Sequence, residues 1–126
     1  KKQFAEMDLK ISHNIQNIAL DNGALNNERE NDKIDKKRVW WVEAESVVGF
    51  INAYQHSGEK KFLESARSVW EYIKAEMIDK REGSEWYSEV SYDHKPHDWK
   101  EIVGPWKCPY HNGRMCMEVI NRGVDF

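Results

Sequence analysis

Cysteine, proline and long apolar runs are all scarce in this sequence, and each scarcity removes a class of protein. Two cysteines in 126 residues are too few for a disulfide framework. Cys108 and Cys116 flank a helix start at a spacing that matches no familiar zinc pattern, so no metal is expected. They read as reduced, packed thiols in a cytoplasmic protein. No apolar run approaches the roughly 18 residues needed to span a membrane, and the N-terminus has no signal-peptide core. Neither sign of charge dominates. Lys and Arg total 19 against 22 Asp and Glu, a net charge of −3, and the signs are interspersed, which argues against a nucleic-acid or membrane partner. What is abundant is indole. Six tryptophans and five tyrosines in so short a chain point to a large aromatic core, a carbohydrate-stacking surface, or both.

Apolar periodicity is helical. Phe4, Met7, Ile11, Ile15 and Ile18 recur at steps of three and four, the stripe of an amphipathic helix that Asn22–Gly23 is placed to stop. His13 lies off that stripe and is assigned no role. Residues 23–37 are polar and rich in Asn, Asp and Gly, a long loop that fits a short hairpin with Asn31–Asp32 near its tip. A second helix follows, with Trp41, Ala44, Val48 and Ile51 on one stripe and Val47, Phe50 and Tyr54 beside it. Ser57–Gly58 closes it. Phe62, Ala66, Val69, Ile73 and Met77 line a third helix that Gly83 is expected to end. The turn between these two is so short that they must be antiparallel neighbours. Residues 85–90 have some strand character, and the polar loop after them carries His94 and His97, expected to be solvated. A fourth helix closes the chain, with Cys116, Val119 and Ile120 expected inward.

Long loops alternate with short ones, so the long ones gather at one end of the helical layer. Trp40–Trp41 and Trp106 each end a long loop and lead into a helix, which places them at the same end. The expected architecture is all-α, part of an α/α toroid, over a single domain of residues 1–126.

The stretch from Gly104 to Arg114 gathers the chemistry. Pro105 and Pro109 forbid helix up to that point, so His111 falls at or just before a helix N-terminus, in a rigid loop with Trp106 and Tyr110. An imidazole at the positive end of a helix dipole is favoured in its neutral form, and a neutral histidine beside flat rings suits proton transfer on a sugar. The same position also suits a buried histidine satisfied by a backbone carbonyl. Glu45 lies one turn on from Trp41, near an apolar face, and needs either an ion pair with Arg38 or Arg114 or a ligand.

Arg38-Val39-Trp40-Trp41-Val42-Glu43-Ala44-Glu45, followed by Gly104-Pro105-Trp106-Lys107-Cys108-Pro109-Tyr110-His111-Asn112, resembles the C-terminal third of the N-acylglucosamine 2-epimerase superfamily. The Cys-Pro-Tyr-His-Asn form is similar to the cellobiose (mannobiose) 2-epimerase branch. The resemblance implies the C-terminal portion of an (α/α)6 barrel and an isomerase acting on the reducing-end sugar of a β-1,4-linked disaccharide, or on an amino sugar. It implies C2 proton abstraction and return shared by two histidines, with no metal or nicotinamide cofactor. His111 matches the catalytic histidine of the C-terminal motif; Trp40, Trp41 and Trp106 match aromatic positions lining the sugar cleft, and Glu45 a carboxylate at the same rim. The partner histidine belongs to motifs with no counterpart here, since His13 and His56 have the wrong surroundings. The chain is therefore expected to need the missing N-terminal barrel helices, to be inactive alone, and to self-associate through uncovered apolar faces. Two other readings remain: a non-catalytic carbohydrate-binding or helical interaction module, and an α/α-toroid glycoside hydrolase. The latter needs two convergent carboxylates, and Glu45 is the only acid near the expected site.

Overall fold

The structure, a computed structural model, describes residues 2–126. Four α-helices are present among them: α1 (Lys2–Ile18), α2 (Trp40–Ser57), α3 (Lys60–Tyr72) and α4 (Tyr110–Asn121). α2 is the central element, packed against α1, α3 and α4. Its carboxyl end closes on Gly58, whose φ of 74° is the left-handed conformation that accepts glycine most readily; its N–H returns to the Tyr54 carbonyl. α3 then runs back along α2, as so short a turn requires. Its inner face, Phe62, Ala66, Val69, Ile73 and Met77, is fully buried. A π-helical turn, Ile73–Met77, ends this helix. The expected stop at Gly83 is thus corrected: the chain leaves the helix at Ile78, where it turns extended, and Gly83 serves a later turn.

Three antiparallel two-stranded hairpins or ladders occupy the long connections, pairing β1 (Leu20–Asp21) with β2 (Ala24–Leu25), β3 (Glu28–Glu30) with β4 (Lys33–Asp35), and β5 (Arg38–Val39) with β6 (Glu89–Val90). Asn22 and Gly23, both at positive φ, form the two-residue turn of the first hairpin rather than the helix stop expected of them. Asn31–Asp32 tips the second, as the composition indicates. The third pairing matters most for position. Arg38 faces Val90 and Val39 faces Glu89, so the loop entering α2 is bonded to the loop that leads toward α4. Both long loops therefore sit at one end.

Three expectations about facing are corrected. On α2 the buried indole is Trp40, with Glu43, Ala44 and Val47, while Trp41 is exposed. On α4 the inward residues are Asn112 and Met115; Cys116 and Ile120 face out, and both cysteines are exposed rather than packed. The apolar stripe of α1 is the largest departure. Phe4, Met7, Ile11 and Ile18 are exposed, while Ile15 and Leu9 pack against the core and polar groups add to the fastening. Asn52 donates to Asp8 at 2.6 Å, and Gln16 donates to the Ser65 hydroxyl at 2.7 Å. No helix of the described residues is long and apolar enough to cross a membrane.

Candidate active site

His111 sits in the first turn of α4, whose entry is set by Pro109 with φ at −74°. Glu45 sits early in α2. Their helices pack together, and His111 Nδ1 lies 2.8 Å from Glu45 Oε1, each side chain one-third exposed. Arg114, one turn further along α4 than Tyr110, takes the other carboxylate oxygen. Burial alone would raise the Glu45 pKa, but the hydrogen bonds from His111 and Arg114 outweigh it and hold the carboxyl below its ordinary value. An ionised carboxylate only accepts hydrogen bonds. Nδ1 therefore carries a proton toward Glu45, and Nε2 is the ring nitrogen directed away from the carboxylate. The Trp41 ring stands 6.0 Å from the imidazole, tilted by 44°, and Tyr110 meets it edge-on at 5.0 Å. A fixed, partly open imidazole between two aromatic rings is an arrangement for moving a proton on a ligand that presents an apolar face.

The remaining expected residues lie close by but do not converge on the imidazole as a single ring of indoles. Trp40 and Trp41 are consecutive on α2 and so point about 100° apart. Trp41 and Glu45 line a hollow of about 250 Å³ that includes Ser12 and Ile15 of α1. Trp40 and Trp106 line a second cleft of about 450 Å³. Trp106 is 90% exposed. The ion pair left open for Glu45 is with Arg114. Arg38 is engaged elsewhere, donating to Asn26 at 2.7 Å and to the Asp21 carbonyl at 2.8 Å.

The family model for N-acylglucosamine 2-epimerase (GlcNAc 2-epimerase) matches residues 8–113. The chain belongs to that family. Within it the likeness is to cellobiose 2-epimerases. That of Ruminococcus albus is 81% identical over 125 residues, covering 99% of this chain and 32% of the relative. That of Dictyoglomus turgidum is 47% identical, covering 96% and 31%. Among solved structures, a sugar epimerase from a ruminal bacterium superposes with a TM-score of 0.97 at 80% identity, over 100% of this chain and 32% of the other. A cellobiose 2-epimerase from Bacillus thermoamylovorans B4167 gives 0.92 at 48%, over 97% and 31%. The fold is accordingly a partial α/α barrel, and the chain spans about a third of the length of the relatives it matches.

Several polar groups of this epimerase-family chain were not apparent from the motifs. Glu43 is completely buried, and both its oxygens face the Leu25 N–H at 3.2 and 3.0 Å. Burial pushes its pKa up to about 8, against the opposing pull of that N–H and of Arg38. It lies three residues after Trp40, so a stripe started at Trp40 instead of Trp41 would have placed it inside. Lys107, also buried, pairs with Glu85, which in turn accepts from Asn112 Nδ2. This pins the loop before α4 to the loop after α3. His94 and His97 are not simply solvated: His94 faces Glu76 at 3.6 Å, and His97 Nδ1 lies 2.5 Å from Glu89.

Proposed function

We propose that this chain is part of an epimerase that inverts C2 of the reducing-end sugar in a β-1,4-linked disaccharide of the cellobiose or mannobiose type. His111 carries one half of the proton transfer. The observation that supports this reading is the Glu45–His111 hydrogen bond beside the Trp41 ring, which holds the imidazole with Nε2 free. In the ring-opened sugar the C2 hydrogen is acidified by the adjacent C1 carbonyl. Nε2 takes that proton, the C2–H electron pair moves into the C1–C2 bond, and the carbonyl oxygen gains the charge of an enediolate. Return of a proton to the opposite face of C2 gives the epimer. Arg114 steadies Glu45 throughout, and the indoles of Trp41, Trp40 and Trp106 hold the C–H faces of the sugar. The reading employs no metal and no nicotinamide.

The opposite face needs a second acid–base group. The other histidines of the described residues are committed elsewhere: His13 faces Glu59 and Phe62, His56 faces Asp8, and His94 and His97 face Glu76 and Glu89. We assign the second group to the part of the epimerase outside this third, as the family resemblance implies, and on that assignment the isolated chain is inactive. The test is C2 exchange in deuterated water. The full-length protein containing this chain is expected to incorporate deuterium at C2 of cellobiose and release the epimer. His111→Ala is expected to lower both by at least about 1000-fold while disaccharide binding changes little. Turnover that survives His111→Ala defeats the proposal. Binding without C2 exchange in the unaltered protein favours a non-catalytic carbohydrate-binding module.

A further inference from the structure

Outside the His111 site, Trp99 lies in the loop after β6 and is 73% exposed, yet its ring is held in place. It stacks on His97 with centroids 5.5 Å apart and planes 28° from parallel, and Lys100 Nζ lies 5.5 Å from its centre. Both neighbours are fastened to one carboxylate: Glu89 Oε1 is 2.5 Å from His97 Nδ1 and 2.8 Å from Lys100 Nζ. Glu89 belongs to β6, which pairs with β5 immediately before Trp40. An indole clamped by polar groups with most of its surface in water gives up rotamer freedom without gaining burial. A flat apolar ligand on that surface supplies the missing contact.

Trp99, Trp106 and Trp40 line the same 450 Å³ cleft, together with Ser88 and Lys100. Two of these residues carry buried polar groups that meet no partner among the described residues, the Trp40 Nε1–H and the Ser88 hydroxyl. Indoles at the rim, unsatisfied hydrogen-bonding groups further in and charge along the edge match a pyranose, which offers an apolar C–H face bordered by hydroxyls. We propose that Trp99 is a specificity-determining residue that stacks on the sugar unit beyond the reducing-end one. The proposal rests on the epimerase reading, and it uses the divergence of Trp41 and Trp40: the first faces His111 and the second opens into the Trp99 cleft, one sugar ring to each.

In the full-length protein, Trp99→Ala is expected to raise the KM for cellobiose about tenfold with kcat unchanged, and Trp99→Phe is expected to recover most of the loss. An unchanged KM overturns the proposal. So does a fall in kcat that Trp99→Phe leaves unrepaired, because that marks a purely structural role. If the unaltered protein turns over no sugar, the epimerase reading fails on its own account and calorimetry with cellobiose decides the cleft. A Kd weakened about tenfold by Trp99→Ala upholds the stacking site, and an unchanged Kd or no binding by the unaltered protein removes it.

Discussion

At the scale of single residues, two glutamates on one helix have opposite fates, and the difference is set by what surrounds each carboxylate. Glu45 is held below its ordinary pKa of 4.5, because the hydrogen bonds from His111 and Arg114 exceed the effect of burial. A depressed carboxylate contributes stability above its unfolded pKa and loses it only as pH falls through the lower folded value. The Glu45–His111 bond is therefore expected to persist through the ordinary carboxylate range. A carbon-13 titration of the Glu45 carboxyl is expected to give a midpoint below 4.5; a midpoint above that value contradicts the geometry. Glu45→Gln is expected to lower kcat about 100-fold with a smaller change in KM, because the amide holds the imidazole less firmly. Glu43 behaves in the reverse sense. Its pKa is raised to about 8 by burial, so it stays protonated in the fold at pH values where the unfolded chain has ionised it. Stability is expected to decline as pH rises from the ordinary carboxylate value to about 8. Glu43→Gln is expected to flatten that part of the melting profile, whereas Glu43→Ala is expected to cost about 1–3 kcal/mol by leaving the Leu25 N–H unpaired.

At the scale of elements, the α2–α3 hairpin carries the fold. Phe62 is fully buried and stacks on Phe50 at 6.3 Å, so Phe62→Ala is expected to cost about 3–5 kcal/mol in denaturant unfolding. Gly58 offers a cleaner test of the turn itself. Nothing lies within 4 Å of a Cβ built there, yet its φ is 74°, so Gly58→Ala meets no clash and is strained only by backbone conformation. A loss of about 1–2 kcal/mol is expected; no loss would show that the turn relaxes. The β5–β6 ladder has a different task. It ties the strand entering α2 to the strand that leads into the Trp99 loop, which fixes the two tryptophan-bearing segments side by side.

At the scale of the whole molecule, α1 is the telling element. Its Asp8 accepts from Asn52 of α2 and its Gln16 donates to Ser65 of α3, while Phe4, Met7, Ile11 and Ile18 are presented to solvent. A second apolar groove, lined by Val47, Trp70, Met115, Val119 and Phe126, lies along α4. Contiguous uncovered apolar surface drives association in water. Expressed alone, the chain is expected to bind a hydrophobic dye and to sediment as concentration-dependent oligomers, while showing no C2 exchange with cellobiose. A monodisperse, dye-negative monomer would mean that these faces are already satisfied.

Much of this was legible in the residues. The helical hairpin, its closure at Gly58 and the Asn31–Asp32 hairpin tip follow from local periodicity and from the few residue types that accept positive φ. So does the gathering of both long loops at one end, which the β5–β6 pairing realises. The two tryptophan motifs carry the family, and they point to His111 and Glu45, which the fold brings within hydrogen-bonding distance. Periodicity specifies the angles between side chains on a helix, but it leaves the helix free to rotate about its axis until neighbours are present. Only the tertiary structure therefore decided that Trp40 and not Trp41 is buried, that Glu43 goes inside with it, that Cys116 and Ile120 face out, and that α1 leaves all of its apolar stripe but Ile15 exposed. For the same reason the Arg114–Glu45–His111 chain, which joins residues far apart in sequence, came into being only when α4 settled against α2.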